Sequence, residues 1–257
     1  MPGRFSLYQD LTVEENLQFF ATVFGTTIRE NYELVRDIYS QIEPFRTRRA
    51  GALSGGMKQK LALSCALIHK PEVLFLDEPT TGVDPVSRRE LWDMLRRLRE
   101  QGITIVVSTP IVDEARQCDR IAFISEGQVR GIDTPDIILE RFADILCPAG
   151  LSHSEKNNKG TPVIEVENLT KQFGSFVAVD HISFEVRRGE IFGFLGANGA
   201  GKTTAFNLLT GVYKPTEGNF FLDGEKLTGH STIEINKKGI ARTFQNIRLF
   251  SNMSVLD

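Results

Sequence analysis

The order of three motifs limits how this chain of 257 residues can fold. A glycine-rich loop, GANGAGKTT, occupies residues 196–204 and follows the apolar segment GEIFGFL. The glycine-containing motif LSGGMKQK at 53–60 and the acid-ended apolar segment VLFLDEP at 73–79 come well before it. In open α/β sheets, such a loop and such an acidic strand form a ligand site only where they meet at one sheet edge. The two parts must therefore come together from distant parts of the chain, or remain apart and incomplete.

The glycine-rich loop matches G-x-x-x-x-G-K-[S/T] in full, between a predicted strand and a predicted helix. In such a loop the backbone N–H groups wrap a phosphate, and the helix N-terminus adds a partial positive charge. We expect Lys202 to reach the β- and γ-phosphates of a nucleotide and the Thr203 hydroxyl to bind Mg²⁺. The residues predicted to bind ATP in this loop are Gly196, Asn198, Gly199, Ala200, Gly201, Lys202, Thr203 and Thr204.

The apolar segment at 73–79 predicts a buried strand that delivers two carboxylates to its C-terminal end. Asp77 is then placed to hold Mg²⁺, and Glu78 to orient or deprotonate an attacking water. Taken alone, the same residues are also compatible with a strand that ends in a solvated acidic turn.

Together with TTGVDP at 80–85, these motifs resemble the signature motif, Walker B and D-loop of ATP-binding cassette (ABC) ATPases. Ser54 is predicted to cap a helix whose first N–H groups, near Gly55 and Gly56, form an anion site. The resemblance implies that this site contacts the γ-phosphate of ATP held by an opposing cassette, in a head-to-tail dimer. It also assigns Asp84 to the D-loop.

Two further residues are assigned by the resemblance. Phe173 stands where the family has an aromatic side chain that stacks on adenine. Gln245, in ARTFQNIRLF, stands at the glutamine of the Q-loop, which touches Mg²⁺ and the attacking water and couples the site to the transporter.

The sequence departs from the family pattern at two positions. The strand ITIVV is followed by STP, so Pro110 occupies the place of the family's switch histidine. LFSNMSVLD at 249–257 aligns with LYQDLTVEE at 7–15 at an offset of 242 residues, and the same offset puts Gly3 opposite Gln245. A proline side chain can neither donate to a γ-phosphate nor relay a proton. We therefore expect slow ATP turnover.

The resemblance predicts three parts of the chain. Residues 1–146 are similar to the C-terminal half of an ABC cassette, with helical subdomain, signature, Walker B and D-loop; residues 162–257 are similar to an N-terminal half, with the adenine-stacking aromatic, Walker A and Q-loop. The polar stretch 147–161 is a predicted linker. This arrangement resembles the junction of a tandem-cassette ATPase of ABC-2 type multidrug exporters, in which Met1 would be an internal methionine. Residues 211–250 are more similar to ATPases of branched-chain amino acid importers.

Because the two halves are complementary, the chain is predicted to close into one circularly permuted cassette. The expected fold is an α/β P-loop NTPase with a parallel core sheet, an antiparallel β subdomain and a helical subdomain. A linker of 15 residues can span up to about 50 Å, similar to the roughly 45 Å diameter of such a domain. The alternative, two separate halves, would leave apolar strand faces and unpaired edges exposed.

Composition restricts the partners that we expect. The formal net charge is -3, which disfavours nucleic acid as an obligatory partner. The three cysteines have neither disulfide-framework nor zinc spacing, and no apolar run has the length of a membrane span. The resemblance to ABC ATPases implies that the chain binds ATP and Mg²⁺ and acts beside membrane permease subunits at the cytoplasmic face of the inner membrane. Two alternatives remain open. One is a catalytically weak or inactive nucleotide-binding fragment or a regulatory cassette, and the other is a soluble ABC protein that acts on ribosomes or DNA.

Overall fold

The computed structural model describes residues 7–143 and 160–243. Gln245, Gly3, most of the predicted linker and the repeat at 249–257 lie outside the described residues. Two sheets and a layer of helices are built from the described part of the chain.

The helices alternate with the strands along most of the chain. They are α1 (Val13–Val23), α2 (Ile28–Tyr39), α3 (Gly55–Leu67), α4 (Pro85–Glu100), α5 (Val112–Ala115), α6 (Pro135–Arg141), α7 (Lys202–Leu209) and α8 (Thr232–Lys237). Two short 3₁₀ turns, Glu43–Phe45 and Ala50–Ala52, lie between α2 and α3. Within the described ranges, no helix is both long enough and apolar enough to span a membrane.

The strands form two separate sheets. They are β1 (Val73–Asp77), β2 (Thr104–Thr109), β3 (Arg120–Ser125), β4 (Gln128–Asp133), β5 (Pro162–Phe173), β6 (Phe176–Arg187), β7 (Ile191–Leu195), β8 (Glu217–Leu222), β9 (Glu225–Lys226) and β10 (Ile240–Thr243).

The six-stranded sheet joins strands from both parts of the chain. Its order is β10-β1-β2-β7-β3-β4, and every neighbouring pair is parallel except β3 with β4. Val73 of β1 lies opposite Ile240 of β10, and Ile105 of β2 lies opposite Ile191 of β7. The predicted closure into one parallel core sheet is confirmed.

The second sheet is antiparallel and comes entirely from the later part of the chain. Its order is β6-β5-β8-β9, with several register shifts along the long β5–β6 pair. This sheet is the predicted antiparallel β subdomain.

The helical layer begins with α1 and α2, and each of these helices has a capping box at its N-terminus. Thr12 and Thr27 accept from the backbone N–H of Glu15 and Glu30, and these glutamates bond back to the cap residues. Helix α3 packs against both, and all three helices contribute to one apolar cluster. The predicted helical subdomain is therefore present.

The two faces of the parallel sheet bury different partners, because successive side chains of a strand point to opposite faces. Leu74 and Leu76 belong to the cluster shared with the helical layer. Phe75 points to the other face, where its ring meets that of Phe206 from α7 at a centroid distance of 5.2 Å. Phe206 also meets Phe194 of β7 at 5.5 Å. Aromatic packing thus joins the two parts of the chain beneath the sheet.

One sequence-based boundary was wrong. The pattern Ser87 to Glu90 suggested a capping box for the helix after the acidic strand. Instead, α4 begins at Pro85, and the Asp84 carboxylate accepts from the N–H groups of Val86 and Ser87, each at 3.0 Å. Asp84 accepts from the first free N–H groups of the helix, and Pro85 fits the first helical position. The helix therefore begins three residues earlier than it would with Ser87 as its cap.

Replacement of Phe75 by Ala is expected to lower the free energy of unfolding by about 3–5 kcal/mol, because it opens a cavity against Phe206. The loss should appear in a single urea transition, with faster amide exchange in both β1 and β10. Phe176→Ala, at a side chain that is 64% exposed, is the control and should change stability little. Two separate unfolding transitions in the unmodified chain would contradict the shared sheet.

Candidate functional site

The glycine-rich loop lies between the end of β7 and the start of α7. Gly199 and Gly201 have φ angles of 85° and 102°, a region that favours glycine. At Gly196, a Cβ atom would lie 2.4 Å from the carbonyl oxygen of Ile124. These positions therefore need glycine for the loop to keep its path into α7.

A turn from the earlier part of the chain supports this loop. Gly127, between β3 and β4, donates its N–H to the carbonyl of Ala200 at 3.0 Å and accepts from the N–H of Asp180 at 2.8 Å. Its φ is 75°, and a Cβ there would lie 2.8 Å from the carbonyl oxygen of Ala178. Gly127 was not predicted to support the loop, although the Glu-Gly pair between two apolar segments is a turn signal.

Lys202 lies inside the loop and is 4% exposed. Its Nζ donates to the carbonyl oxygens of Gly196 at 2.7 Å and Ala197 at 3.0 Å, and lies 3.5 Å from Oε1 of Glu78. Burial lowers the pKa of Lys202, while the neighbouring acids, Glu78 above all, oppose that shift. The lysine of the loop and the acidic strand thus meet in one site.

Asp77 is 1% exposed, and its two oxygens have different partners. Oδ1 accepts from the hydroxyl of Ser108 at 2.6 Å and from that of Thr203 at 3.3 Å. Oδ2 accepts from Nη2 of Arg242 at 3.0 Å. The pairing of a carboxylate with the Thr203 hydroxyl provides the hard oxygen donors that Mg²⁺ prefers, so the residues fit such an ion.

Arg242 was not predicted to belong to the site. It lies on β10 and is 4% exposed, and its Nη1 donates to Asn207 Oδ1 at 2.8 Å and to Thr210 Oγ1 at 2.9 Å. The signal in the sequence is a charged residue within the segment IARTF, which is predicted to form a strand.

Glu78 has a backbone φ of 45°, which is uncommon for a residue other than glycine. Its side chain is 8% exposed and accepts from the Thr81 hydroxyl at 3.3 Å, and its N–H donates to Ser108 Oγ at 3.0 Å. Backbone conformations of this kind concentrate at functional sites.

Phe173, at the end of β5, is 44% exposed. The ring of Tyr213 meets it edge-on at 5.4 Å, and Nζ of Lys171 lies 5.1 Å from its centroid. The ring is therefore partly covered by these two side chains and partly open to solvent. Asn198 and Gly199 of the loop are also exposed, and Thr204 is half-buried.

The signature residues form a separate exposed surface. Ser54 caps α3 by accepting from the N–H of Met57 at 3.3 Å; Ser54 and Gly55 are exposed and Gly56 is half-buried. Helix α3 is tied to the acidic strand through a hydrogen bond from Gln59 Nε2 to the carbonyl oxygen of Pro79. Within ranges 7–143 and 160–243, no hydrogen bond or ion pair joins Ser54 or Asp84 to the glycine-rich loop.

Pro110 is exposed and directly follows β2. Two histidines make their contacts elsewhere: the ring of His69 lies 4.1 Å from that of Phe24 in a tilted arrangement, and Nδ1 of His181 lies 2.6 Å from Oδ1 of Asp180. Neither supplies an imidazole beside Pro110 through these contacts.

Comparison with known proteins shows the family to which the chain belongs. The sequence model of the family described as "ABC transporter" matches residues 2–81 and 179–257, together more than half of the chain. The chain therefore belongs to the ABC transporter family.

Two relatives illustrate how the chain is covered. It is 34% identical over 346 aligned positions to the "Probable multidrug ABC transporter ATP-binding protein YbhF" of Escherichia coli K12, covering 98% of this chain and 60% of that protein. It is 41% identical over 138 positions to the "Nod factor export ATP-binding protein I" of Burkholderia lata, covering 52% of this chain and 45% of that protein. The chain thus spans 60% or less of the length of these two relatives.

Among solved structures, the "Structure of ATP binding subunit of ABC transporter" is 29% identical, with a TM-score of 0.48, and covers 56% of this chain and 60% of that chain.

Gly127→Ala is expected to destabilise the chain by about 1–3 kcal/mol more than Gly224→Ala, because only Gly127 has a carbonyl in the way of a new Cβ. Both residues have a φ of 75°, so both variants carry the same backbone strain, about 1–2 kcal/mol. Urea unfolding of the two variants measures the difference. Equal losses would show that the carbonyl of Ala178 does not restrict the side chain at residue 127.

Proposed function

We propose that this chain binds MgATP and hydrolyses it as the ATP-binding component of an ABC transporter. One observation carries the proposal. Residues from distant parts of the chain, Asp77 and Glu78 on one side and Lys202 and Thr203 on the other, meet within 3.5 Å in pairs. A phosphate-binding loop and a carboxylate pair in such proximity are the minimum for metal-assisted phosphoryl transfer to water.

In this proposal the chain's own groups hold the nucleotide. When the nucleotide binds, Lys202 gives up its hydrogen bonds to the carbonyl oxygens of Gly196 and Ala197 and binds the β- and γ-phosphates instead. The N–H groups of the loop and of the start of α7 surround these phosphates. The open side of the Phe173 ring stacks on adenine. The further binding residues are Asn198, Gly199, Ala200, Gly201, Thr203 and Thr204.

The metal would be held by Thr203, Asp77 and Gln245, and when bound it would neutralise charge on the phosphate oxygens. Glu78 accepts the proton of the attacking water, and Gln245 orients that water. Ser54, Gly55 and Gly56 of a second copy, placed head to tail, close the site from the opposite side, with Asp84 in the D-loop between the copies.

The exposure of Ser54 and Gly55 supports the two-copy arrangement, because a helix N-terminus that is open to solvent remains available to a phosphate from outside. The parts 1–146, 147–161 and 162–257 are proposed as one permuted cassette with its linker. The chain would act beside permease subunits at the cytoplasmic face of the inner membrane. The name of the Escherichia coli relative supports multidrug export as the process.

A second candidate function is a nucleotide-binding cassette with little hydrolysis. Pro110 favours it, since no imidazole follows β2 at this position. Both candidates bind MgATP, and turnover distinguishes them.

MgATP at about 100 times its dissociation constant is expected to stabilise the chain by about 3 kcal/mol and to raise its melting temperature. Lys202→Ala should abolish the rise, because it removes the buried ammonium that faces the phosphate loop. Lys237→Ala, on the last turn of α8, is the matched control and should respond as the unmodified chain does. If the melting temperature of the unmodified chain does not change with MgATP, the proposal is refuted.

Hydrolysis of ATP is expected to be slow, and Pro110→His should accelerate it by restoring a hydrogen-bond acceptor and donor after β2.

Glu78→Gln should lower turnover about 100-fold or more while ATP binding remains, whereas Glu100→Gln at the end of α4 should have no effect. Phosphate release measures the rates. Unchanged turnover in Glu78→Gln would assign the chain to the second candidate.

A further inference from the structure

Arg242 is a buried cation that none of the sequence motifs requires. It lies on β10 opposite Phe75 of β1, two residues before Asp77 at the end of that strand. Its guanidinium contacts Asp77 at 3.0 Å and also reaches Asn207 and Thr210 around the end of α7. A single side chain thus joins β10, the acidic strand and the helix that begins with Lys202.

The charges in this site cancel. Asp77, Glu78, Lys202 and Arg242 are each 8% exposed or less. They form two ion pairs, Arg242 with Asp77 at 3.0 Å and Lys202 with Glu78 at 3.5 Å. Two acids and two bases give this buried set a formal charge of zero. Without Arg242 the same set would carry one negative charge.

We infer that Arg242 is a positioning residue that also restricts how Mg²⁺ enters: it makes the site accept the ion together with a nucleotide and reject the free ion. The inference rests on the proposed function and deepens it. The guanidinium takes Oδ2 of Asp77 and leaves Oδ1 beside Thr203, so one carboxylate oxygen has a fixed direction toward the metal position.

The physical reason is electrostatic. A free dication that enters a neutral buried cluster gains little net attraction, is repelled by the nearby guanidinium and loses part of a firmly held water shell. A nucleotide complex brings its own phosphate charges, which Lys202 and the N-terminus of α7 can bind. Arg242 therefore favours the complex over the free ion.

A merely structural role would give a different result. The contacts with Asn207 and Thr210 anchor α7 to β10 whatever the charge of the side chain. If anchoring were the whole role, uncharged and charged replacements would weaken the chain without changing its response to Mg²⁺.

The test compares Arg242→Gln, which keeps a donor and loses the charge, with Arg242→Lys, which keeps the charge and loses the planar fork. Melting temperatures are measured against MgCl₂ without nucleotide, at constant ionic strength. The unmodified chain and Arg242→Lys should not respond. Arg242→Gln should show a saturable rise, with the half-effect at an Mg²⁺ concentration at least about tenfold lower than any effect on the unmodified chain. The double variant Asp77→Asn with Arg242→Gln should lose this rise, because the carboxylate is gone.

The inference would be overturned if the melting temperature of Arg242→Gln did not change with Mg²⁺. It would also be overturned if Arg242→Gln and Arg242→Lys responded equally. If neither variant melts cooperatively, the unmodified chain still decides, since a saturable rise at sub-millimolar Mg²⁺ alone would also overturn it. A parallel MgATP titration of the unmodified chain separates the two proposals. If MgATP does not stabilise the unmodified chain, the proposed function is wrong. The MgCl₂ titration without nucleotide tests only the role of the Arg242 charge.

Discussion

The parallel pairing of β2 with β7 is the contact on which the rest of the structure depends. It joins the part of the chain before residue 143 to the part after residue 160, with Ile105 opposite Ile191 and Thr109 opposite Leu195. Because β1 lies on the other side of β2, the acidic end of β1 and the start of the glycine-rich loop are brought to the same edge of the sheet. A shift of this register by two residues would move the loop by about 7 Å relative to Asp77, farther than any of the side-chain contacts in the site can span.

The site contains several features that lower the stability of the fold, and the surrounding structure must offset them. Four charged side chains are buried, Glu78 has a left-handed backbone, and the loop contains glycines with positive φ. A buried charge is tolerated only when it is paired and hydrogen-bonded, and here each acid has both a cationic partner and a hydroxyl donor. The aromatic contacts among Phe75, Phe194 and Phe206 lie directly beneath, and they supply apolar burial that holds these strands and α7 together.

The features that could be predicted from the sequence are those that produce a recognisable pattern along the chain. Helix α7 from Lys202 to Leu209, the Ser54 cap, the separate antiparallel sheet and the meeting of both parts in one parallel sheet follow from periodicity, capping residues and motif complementarity. Gly127 and Arg242 could not be assigned in this way, since their partners lie far along the chain and depend on which strands become neighbours. The start of α4 was misplaced because Asp84 and Ser87 are both good caps, and only the backbone path decides between them. The role of Gln245 and the linker boundaries remain predictions.

The topology also sets an order in which the chain can gain structure during its synthesis. β1 and β2 leave the ribosome as a pair, but their outer neighbours β7 and β10 are encoded far downstream. At elongation rates of about 5–20 residues per second, β2 waits several seconds for the strand that completes the centre of its sheet. During that interval the pair lacks the two strands that flank it in the sheet, and the face that carries Phe75 lacks Phe194 and Phe206. Strand edges that wait for downstream partners are exposed to pairing with other chains for longer than edges whose neighbours are made in succession.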